Sequence, residues 1–230
     1  MAGLSVGFIY ARTDSTRLPA KIFKQINGIS LLEIIFTRAK SSALDDIYLV
    51  TSDRTVDDNL CSLAEDIGLP SIRGDCDDII SRTLLALSET NADRFARLNG
   101  DSPLLDPHMI DVALSVDRSC RFVSNLFNRR SPYGVTVELI ERHFFEASVS
   151  GRSENVQPEH ITQHLYTDCC NPHFTSIQNK LDHSQFKFVV DEPKQLVDLE
   201  SLMFNRDPRS VNYWDLVKCQ PPDYHIGPLE

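Results

Sequence analysis

Between Ala11 and Lys21 the chain reads Ala-Arg-Thr-Asp-Ser-Thr-Arg-Leu-Pro-Ala-Lys, which places Arg12, Arg17 and Lys21 within ten residues of one another. The whole chain carries a formal charge of -10, so this cluster is a local reversal of sign. Arginine grips phosphate oxygens with a planar fork and lysine supplies a compact point charge, so a polyphosphate is the natural counter-ion for such a loop. A solvated basic loop has the same composition. Placement decides between the two, because the apolar run Leu4 to Tyr10 reads as a β-strand and the cationic loop begins where that strand ends.

The elements that must hold this loop follow in order. An amphipathic segment from Ser30 to Lys40 gives a helix. Ile47 to Val50 gives a strand, and Leu60, Leu63, Ala64 and Ile67 form a second helical stripe that Gly68 stops. Pro70 to Ile72 pairs with a helix near Asp78 to Ser88, and Arg94 to Leu98 runs through Asn99-Gly100-Asp101 to a helix from Pro107 to about Val116. Strands alternating with helices imply a mainly parallel sheet covered on both faces, in which ligands collect at the carboxyl ends of the strands. The Ala11 and Asn99 loops both lie there.

From Arg129 the texture changes. Pro132, Gly134 and the alternating Val135, Val137 and Leu139 suggest an inserted hairpin or edge strand over residues 129–140, with an apolar face suited to a homodimer. Helices are expected at Glu141 to Ser148, Pro158 to Asp168 and Pro193 to about Phe204, and a buried strand at Phe186 to Val190. The tail from about 205 to 230, rich in proline and polar residues, reads as a loosely packed arm or a partner contact.

With 230 residues and 41% hydrophobic content, residues 1–230 are expected to form one domain. The acidic balance argues against a nucleic-acid partner, which needs dense cationic surface. Met1-Ala2-Gly3 leads straight into an apolar strand and no run nears a membrane span, so a protein without a membrane partner is expected. Six cysteines without CxxC spacing suit a reducing cytoplasm, with the adjacent Cys169 and Cys170 read as structural thiols. Seven histidines without HxH or HExxH spacing give no zinc site.

The loop AR-x-x-S-x-RLP-x-K, with Asn27-Gly28 and Leu31-Leu32-Glu33, resembles the cytidylyltransferase family of CMP-Kdo and CMP-acylneuraminate synthetases, most of all its spore coat polysaccharide biosynthesis protein F branch. The resemblance continues in order through Thr51-Ser52-Asp53, Arg73-Gly74, Asp78, Arg82, Asn99-Gly100-Asp101-Ser102-Pro103-Leu104, Glu159-His160-Ile161-Thr162 and Val190-Asp191-Glu192-Pro193. It implies a Rossmann-like, GT-A-like three-layer α/β sandwich. It also implies transfer of CMP from CTP to a sugar acid or phosphorylated sugar or polyol, with release of pyrophosphate, for surface glycan synthesis.

By matched position, the family implies Arg12 and Lys21 on the triphosphate with Ser15 and Arg17 in support, and Arg12, Lys21 and Asp101 as the catalytic set. Asp101 and Asp191 would hold Mg2+, a hard ion that takes carboxylate and phosphate oxygens and keeps several waters. Alone, the first is an ordinary turn residue and the second an ordinary helix cap. Tyr10, Ala11, Ser52, Asp53 and Arg73 are candidates for the cytosine, and Asn99 and Gly100 complete the nucleotide set. Tyr133, Thr136, Glu138, Glu159 and His160 are candidates for the acceptor, with a structural histidine as the alternative for His160.

Two departures stand out. Ala20 replaces the family's glycine, which predicts a loop that either approaches phosphate less closely or keeps to negative φ, and Tyr133-Gly134-Val135-Thr136 replaces an Arg-Gly-x-Asp-like run. Two other readings keep the fold: a transferase using another nucleoside triphosphate, whose relatives start with a glycine-rich loop absent here, and a non-catalytic nucleotide-binding scaffold.

Overall fold

Alternation along the first strand sets the layers: Val6 and Phe8 are buried on one face of the sheet and Ile9 on the other. In the computed structural model, which describes residues 3–15, 17–150, 160–167, 171 and 173–227, this strand is β1 (Ser5–Tyr10) and lies near the middle of an eight-stranded sheet. The small pair β2 (Gln25–Ile26) and β3 (Ile29–Ser30) stands apart from it. The main sheet continues with β4 (Asp46–Ser52), β5 (Ser71–Gly74), β6 (Arg94–Asn99), β7 (Phe122–Ser124), β8 (Glu138–Glu141), β9 (Phe174–Asn179) and β10 (Tyr224–Gly227), in the order β10-β9-β7-β8-β6-β1-β4-β5. β5, β4, β1 and β6 run parallel, whereas β8 enters antiparallel between β6 and β7.

Helices cover both faces, as the βα alternation requires. One apolar layer gathers Ile9, Leu49 and Leu98 under α1 (Leu31–Lys40), α2 (Asp58–Asp66) and α4 (Pro107–Leu114). The other is aromatic: Phe8 stacks on Phe95 at 5.5 Å and Phe95 meets Phe145 edge-on at 5.3 Å, beneath α3 (Ile79–Thr90) and α5 (Arg142–Val149). Starts and stops follow local chemistry. The Ser30 hydroxyl accepts from Glu33 N at the head of α1, the Asp78 carboxylate from Ser81 N at the head of α3, and Gly68 takes φ +73° just beyond α2.

Of the hairpin or edge strand expected over 129–140, the last part forms, as β8, but inside the sheet between β6 and β7 rather than at an edge. Residues 129–137 form no ladder beyond one isolated bridge at Tyr133, and Val135, Val137 and Leu139 are at most 1% exposed, their alternation marking insertion into the core. The apolar face proposed for a strand-mediated homodimer is therefore inside the molecule. Gly134, at φ +94°, sits so close to Phe188 that an added Cβ would lie 2.5 Å from its carbonyl oxygen.

The segment Phe186 to Val190 is buried as expected at Phe188, Val189 and Val190, but forms no ladder. Its one bridge, Lys187 to Tyr133, and the bond from Val190 N to Asp101 O (2.8 Å) tie loops together. Of the helix expected at Pro158 to Asp168, the described residues contain a 3-10 turn, Gln163–Thr167. α6 (Pro193–Leu202) forms as expected.

The tail is docked. It contributes α7 (Tyr213–Val217) and β10, which pairs antiparallel with β9. Buried Arg38 on α1 donates to the carbonyls of Leu105 (2.6 Å), Pro208 (3.4 Å) and Val211 (2.8 Å), and Tyr224 donates to Asp106 (2.8 Å). No helix among the described residues is long and apolar enough to cross a membrane.

Two stability effects follow. Arg38→Met strips buried carbonyls of their donor and should lower the unfolding free energy by about 1–3 kcal/mol, read by urea denaturation. His183 is buried with Nδ1 2.9 Å from the Tyr213 hydroxyl, and burial holds its imidazole pKa below the ordinary value. The unfolded chain then binds the proton first. Stability is whole above about pH 6.5 and falls as pH drops below it. Denaturant midpoints at pH 7 and pH 5 should differ less in His183→Asn.

Candidate active site

Tyr10 and Asn99 are register partners at the ends of neighbouring parallel strands, so the Ala11 and Gly100 loops leave the sheet side by side. Gly100 N donates to Tyr10 O at 3.0 Å. A Cβ on Gly100 would meet that oxygen and the Ala11 Cβ, both at 2.8 Å, so the two loops approach as closely as they do only because this residue is glycine. Between them opens a cleft of about 260 Å³, lined by Tyr10, Ala11, Arg12, Asp14, Ser15, Lys21, Ile22, Arg97, Asn99, Gly100 and Asp101.

Lys21 is its focus. The ammonium lies 3.1 Å from Asp101 Oδ2 and 2.9 Å from Asp191 Oδ1, with all three side chains largely shielded. Burial by itself would lower the lysine pKa. The Asp101 charge and the hydrogen bonds to both carboxylates outweigh it, raising the pKa and keeping the ammonium protonated. Asp191 arrives from 90 positions downstream through the Val190 to Asp101 backbone bond, and Gln195 Oε1 at the start of α6 accepts from its N–H (2.6 Å). Arg17 pairs with its second oxygen at 3.1 Å while staying 67% exposed at the rim.

The loop is held from below as well. The buried carboxylate of Asp57 accepts from Thr13 N (2.7 Å) and from the Ser52 hydroxyl. Burial favours the neutral acid, but these bonds prevail and keep its pKa below the usual carboxylate range. Ala20 stands at φ 53°, in the left-handed region, and donates its N–H to Thr13 O at 3.0 Å. The expectation of negative φ at Ala20 is thus overturned: the loop keeps the glycine-like turn and carries the steric strain of a methyl group.

The remaining candidates separate. Arg12 donates to Cys76 O (2.8 Å) and lies between the cleft and a second cavity of about 310 Å³, lined by Arg12, Cys76, Asp77, Ile79, Arg82 and His160. Ser52 reaches the site only through Asp57. Asp53 is exposed and its N–H pairs with Gly74 O at 2.8 Å. Arg73 turns away to Asp58 (2.7 Å), Ser52 O and Arg54 O, so its guanidinium is fastened beside the β4–β5 edge.

Glu138 is 2% exposed and enclosed by Arg97 and the Tyr166 hydroxyl (2.7 Å), which leaves it no free face for an acceptor. It acts on the cleft through Arg97, whose charged state it secures: burial would depress the guanidinium and Glu138 reverses that. Tyr133 is 44% exposed between Arg129 and Lys187, with its ring centroid 4.8 Å and 5.3 Å from them. Thr136 is half-buried outside the cleft lining, and Glu159 falls outside the described residues.

Arg97 and Asp57 were missed by the sequence reading. The signal for Arg97 was a charge on the same face as Phe95 within an apolar strand. For Asp57 there was none, since an acid before a helix reads as a cap.

A family model described as cytidylyltransferase matches residues 6–127. The spore coat polysaccharide biosynthesis protein SpsF of Bacillus subtilis is 24% identical over 204 residues, 84% of this chain and 84% of its own length. A cytidylyltransferase from Leptospira borgpetersenii superposes with a TM-score of 0.87 at 26% identity, over 93% of this chain and 92% of that one. CMP:2-keto-3-deoxy-manno-octonic acid synthetase in complex with CTP shares the Rossmann-like fold, with a TM-score of 0.64 at 16% identity over 88% of this chain and 99% of that one.

Ala20→Gly should stabilise the protein by roughly 0.5–1 kcal/mol, as relief of a left-handed alanine exceeds the added chain entropy. Ala20→Val should destabilise it, and thermal unfolding of the pair checks both signs.

Proposed function

The chain belongs to the cytidylyltransferase family, and from that premise we propose that it uses CTP to transfer CMP to a small sugar-type acceptor, a sugar acid or a phosphorylated sugar or polyol, releasing pyrophosphate. The observation that carries this is the placement of Lys21 between Asp101 and Asp191 at the mouth of the cationic loop. A cleft with fixed ammonium and guanidinium groups stabilises charge that grows on transferring and leaving phosphates without reorganising during the reaction.

Lys21 and Arg12 bind the triphosphate and take up the charge of the departing pyrophosphate. Arg97, held ionised by Glu138, directs a further cation into the cleft. Ser15 and the Ala11 and Gly100 backbone shape the floor on which the nucleotide lies. With Ser52 and Arg73 engaged elsewhere and Asp53 exposed outside the cleft lining, the base is assigned to the adjoining cavity between Arg12 and Arg82, where His160 stands. The acceptor enters from the open side, past Asp101.

Two carboxylates converging on one cation suit magnesium, which asks for one or two protein carboxylates beside phosphate oxygens and water. Among the described residues no group of three or more His, Cys, Asp or Glu suits a metal, so an ion held by Asp101 and Asp191 would be shared with the nucleotide. When bound it would supply further neutralisation of phosphate charge. SpsF, whose name places it in coat polysaccharide synthesis, supports a glycan precursor as product.

Pyrophosphate release with CTP and a panel of sugar acids and sugar phosphates tests the assignment. Lys21→Ala should lower kcat roughly 10²–10³-fold with the fold retained; unchanged turnover would contradict it. EDTA should abolish release and added magnesium restore it.

A further inference from the structure

Cys76 lies on the loop between β5 and α3, half-buried, with its sulfur 3.2 Å from Arg12 Nη1 and 3.4 Å from Arg54 Nη1. Two guanidinium donors on one partly exposed sulfur make a cationic microenvironment of the kind in which cysteines react with electrophiles. The same thiol lines the cavity shared by Arg12, Arg82 and His160. There Arg82, only 2% exposed, spends Nη1 on Asp75 O (3.1 Å) and leaves Nε without a hydrogen-bond partner.

The nearby acids do not cancel this arrangement. Asp14 is paired with Arg12 and Arg54, Asp75 accepts from the backbone of Asp77 and Asp78, and Asp78 accepts from Ser81. The other described cysteines lack such cations at hydrogen-bonding distance. Cys120 is buried, and burial raises the pKa of Cys61 and Cys219, which suppresses their thiolates.

We infer that Cys76 is a modification site, at which a low-molecular-weight disulfide carrying carboxylates forms a mixed disulfide that fills the cavity beside Arg12. The Cys76 thiol gives its proton to solvent, and its sulfur attacks one sulfur of the incoming disulfide. That S–S bond breaks, Cys76 is oxidised, and the other half leaves as a reduced thiolate. Arg82, on the cavity wall, offers its guanidinium to a carboxylate of the retained half. The adduct occupies the space assigned above to the base and displaces Arg12 from the cysteine, so it closes the cleft until a thiol reductant removes it. Only this last consequence rests on the CTP assignment.

Limited alkylation with iodoacetamide, read by peptide mass spectrometry, compares Cys76 with Cys61 and Cys219 in the same molecule. Cys76 should react faster than both. Arg54→Gln, a change at a half-exposed side chain that removes one of the two cations on the sulfur, should slow it by about threefold. Equal or slower alkylation of Cys76 overturns the inference. Oxidised glutathione should then load Cys76, reversibly by dithiothreitol, and abolish the thermal shift that CTP gives. A full CTP shift on loaded protein overturns the blocking role. The alkylation ratio is measured without nucleotide, so a protein that never binds CTP would refute the assigned function while leaving the thiol tested.

Discussion

Lys21 compensates two aspartates that the chain delivers from positions 80 and 170 residues away, and most of the fold near the cleft can be read as the means of holding that contact. A shielded ammonium facing one carboxylate would suffice for charge. Facing two, it gathers three separate loops, and each loop has its own anchor: Asp57 for the cationic loop, Gly100 for the turn after β6, and the Val190 to Asp101 backbone bond for the approach to α6. An acidic pair of this kind is costly to leave uncompensated once shielded from water. In this state the lysine fills that need, and its raised pKa reports the same electrostatic demand.

Beneath the cleft a second buried pair does related work. Arg97 projects from β6 on the aromatic face, beside Tyr10, and Glu138 comes up opposite it from the antiparallel β8. Insertion of β8 between β6 and β7 is what supplies this partner. The same insertion buries Val137 and Leu139, so one strand completes the core and fixes a cation under the cleft. The C-terminal segment has a comparable double use, since β10 extends the sheet while residues before α7 satisfy the buried Arg38.

Arg12 joins the two halves of the candidate site. Its contacts to Asp14 on one side and Cys76 on the other place it at the border of both cavities. A residue so placed senses the occupancy of either. That is why a thiol on the neighbouring loop has consequences for the cleft.

The sequence alone determined the βα alternation, the helix ends marked by Ser30, Gly68 and Asp78, and the gathering of the Ala11 and Asn99 loops at one sheet edge. These rest on short-range chemistry: periodic burial, capping and glycine stops act within a few residues and leave their pattern in the chain. Family resemblance paired Asp101 with Asp191, which spacing alone could not do. Tertiary structure decided what depends on partners distant in the chain. An alternating apolar run at 135–139 fits an exposed hairpin and a buried insertion equally well, because period two shows that one face is covered and not by what. Arg73 and Arg97 are both arginines on strands, yet Asp58 draws one to the sheet edge while Glu138 fixes the other under the cleft. Even Ala20, whose side chain argues for negative φ, takes the left-handed turn because the packed loop outweighs a local preference of roughly 1–2 kcal/mol.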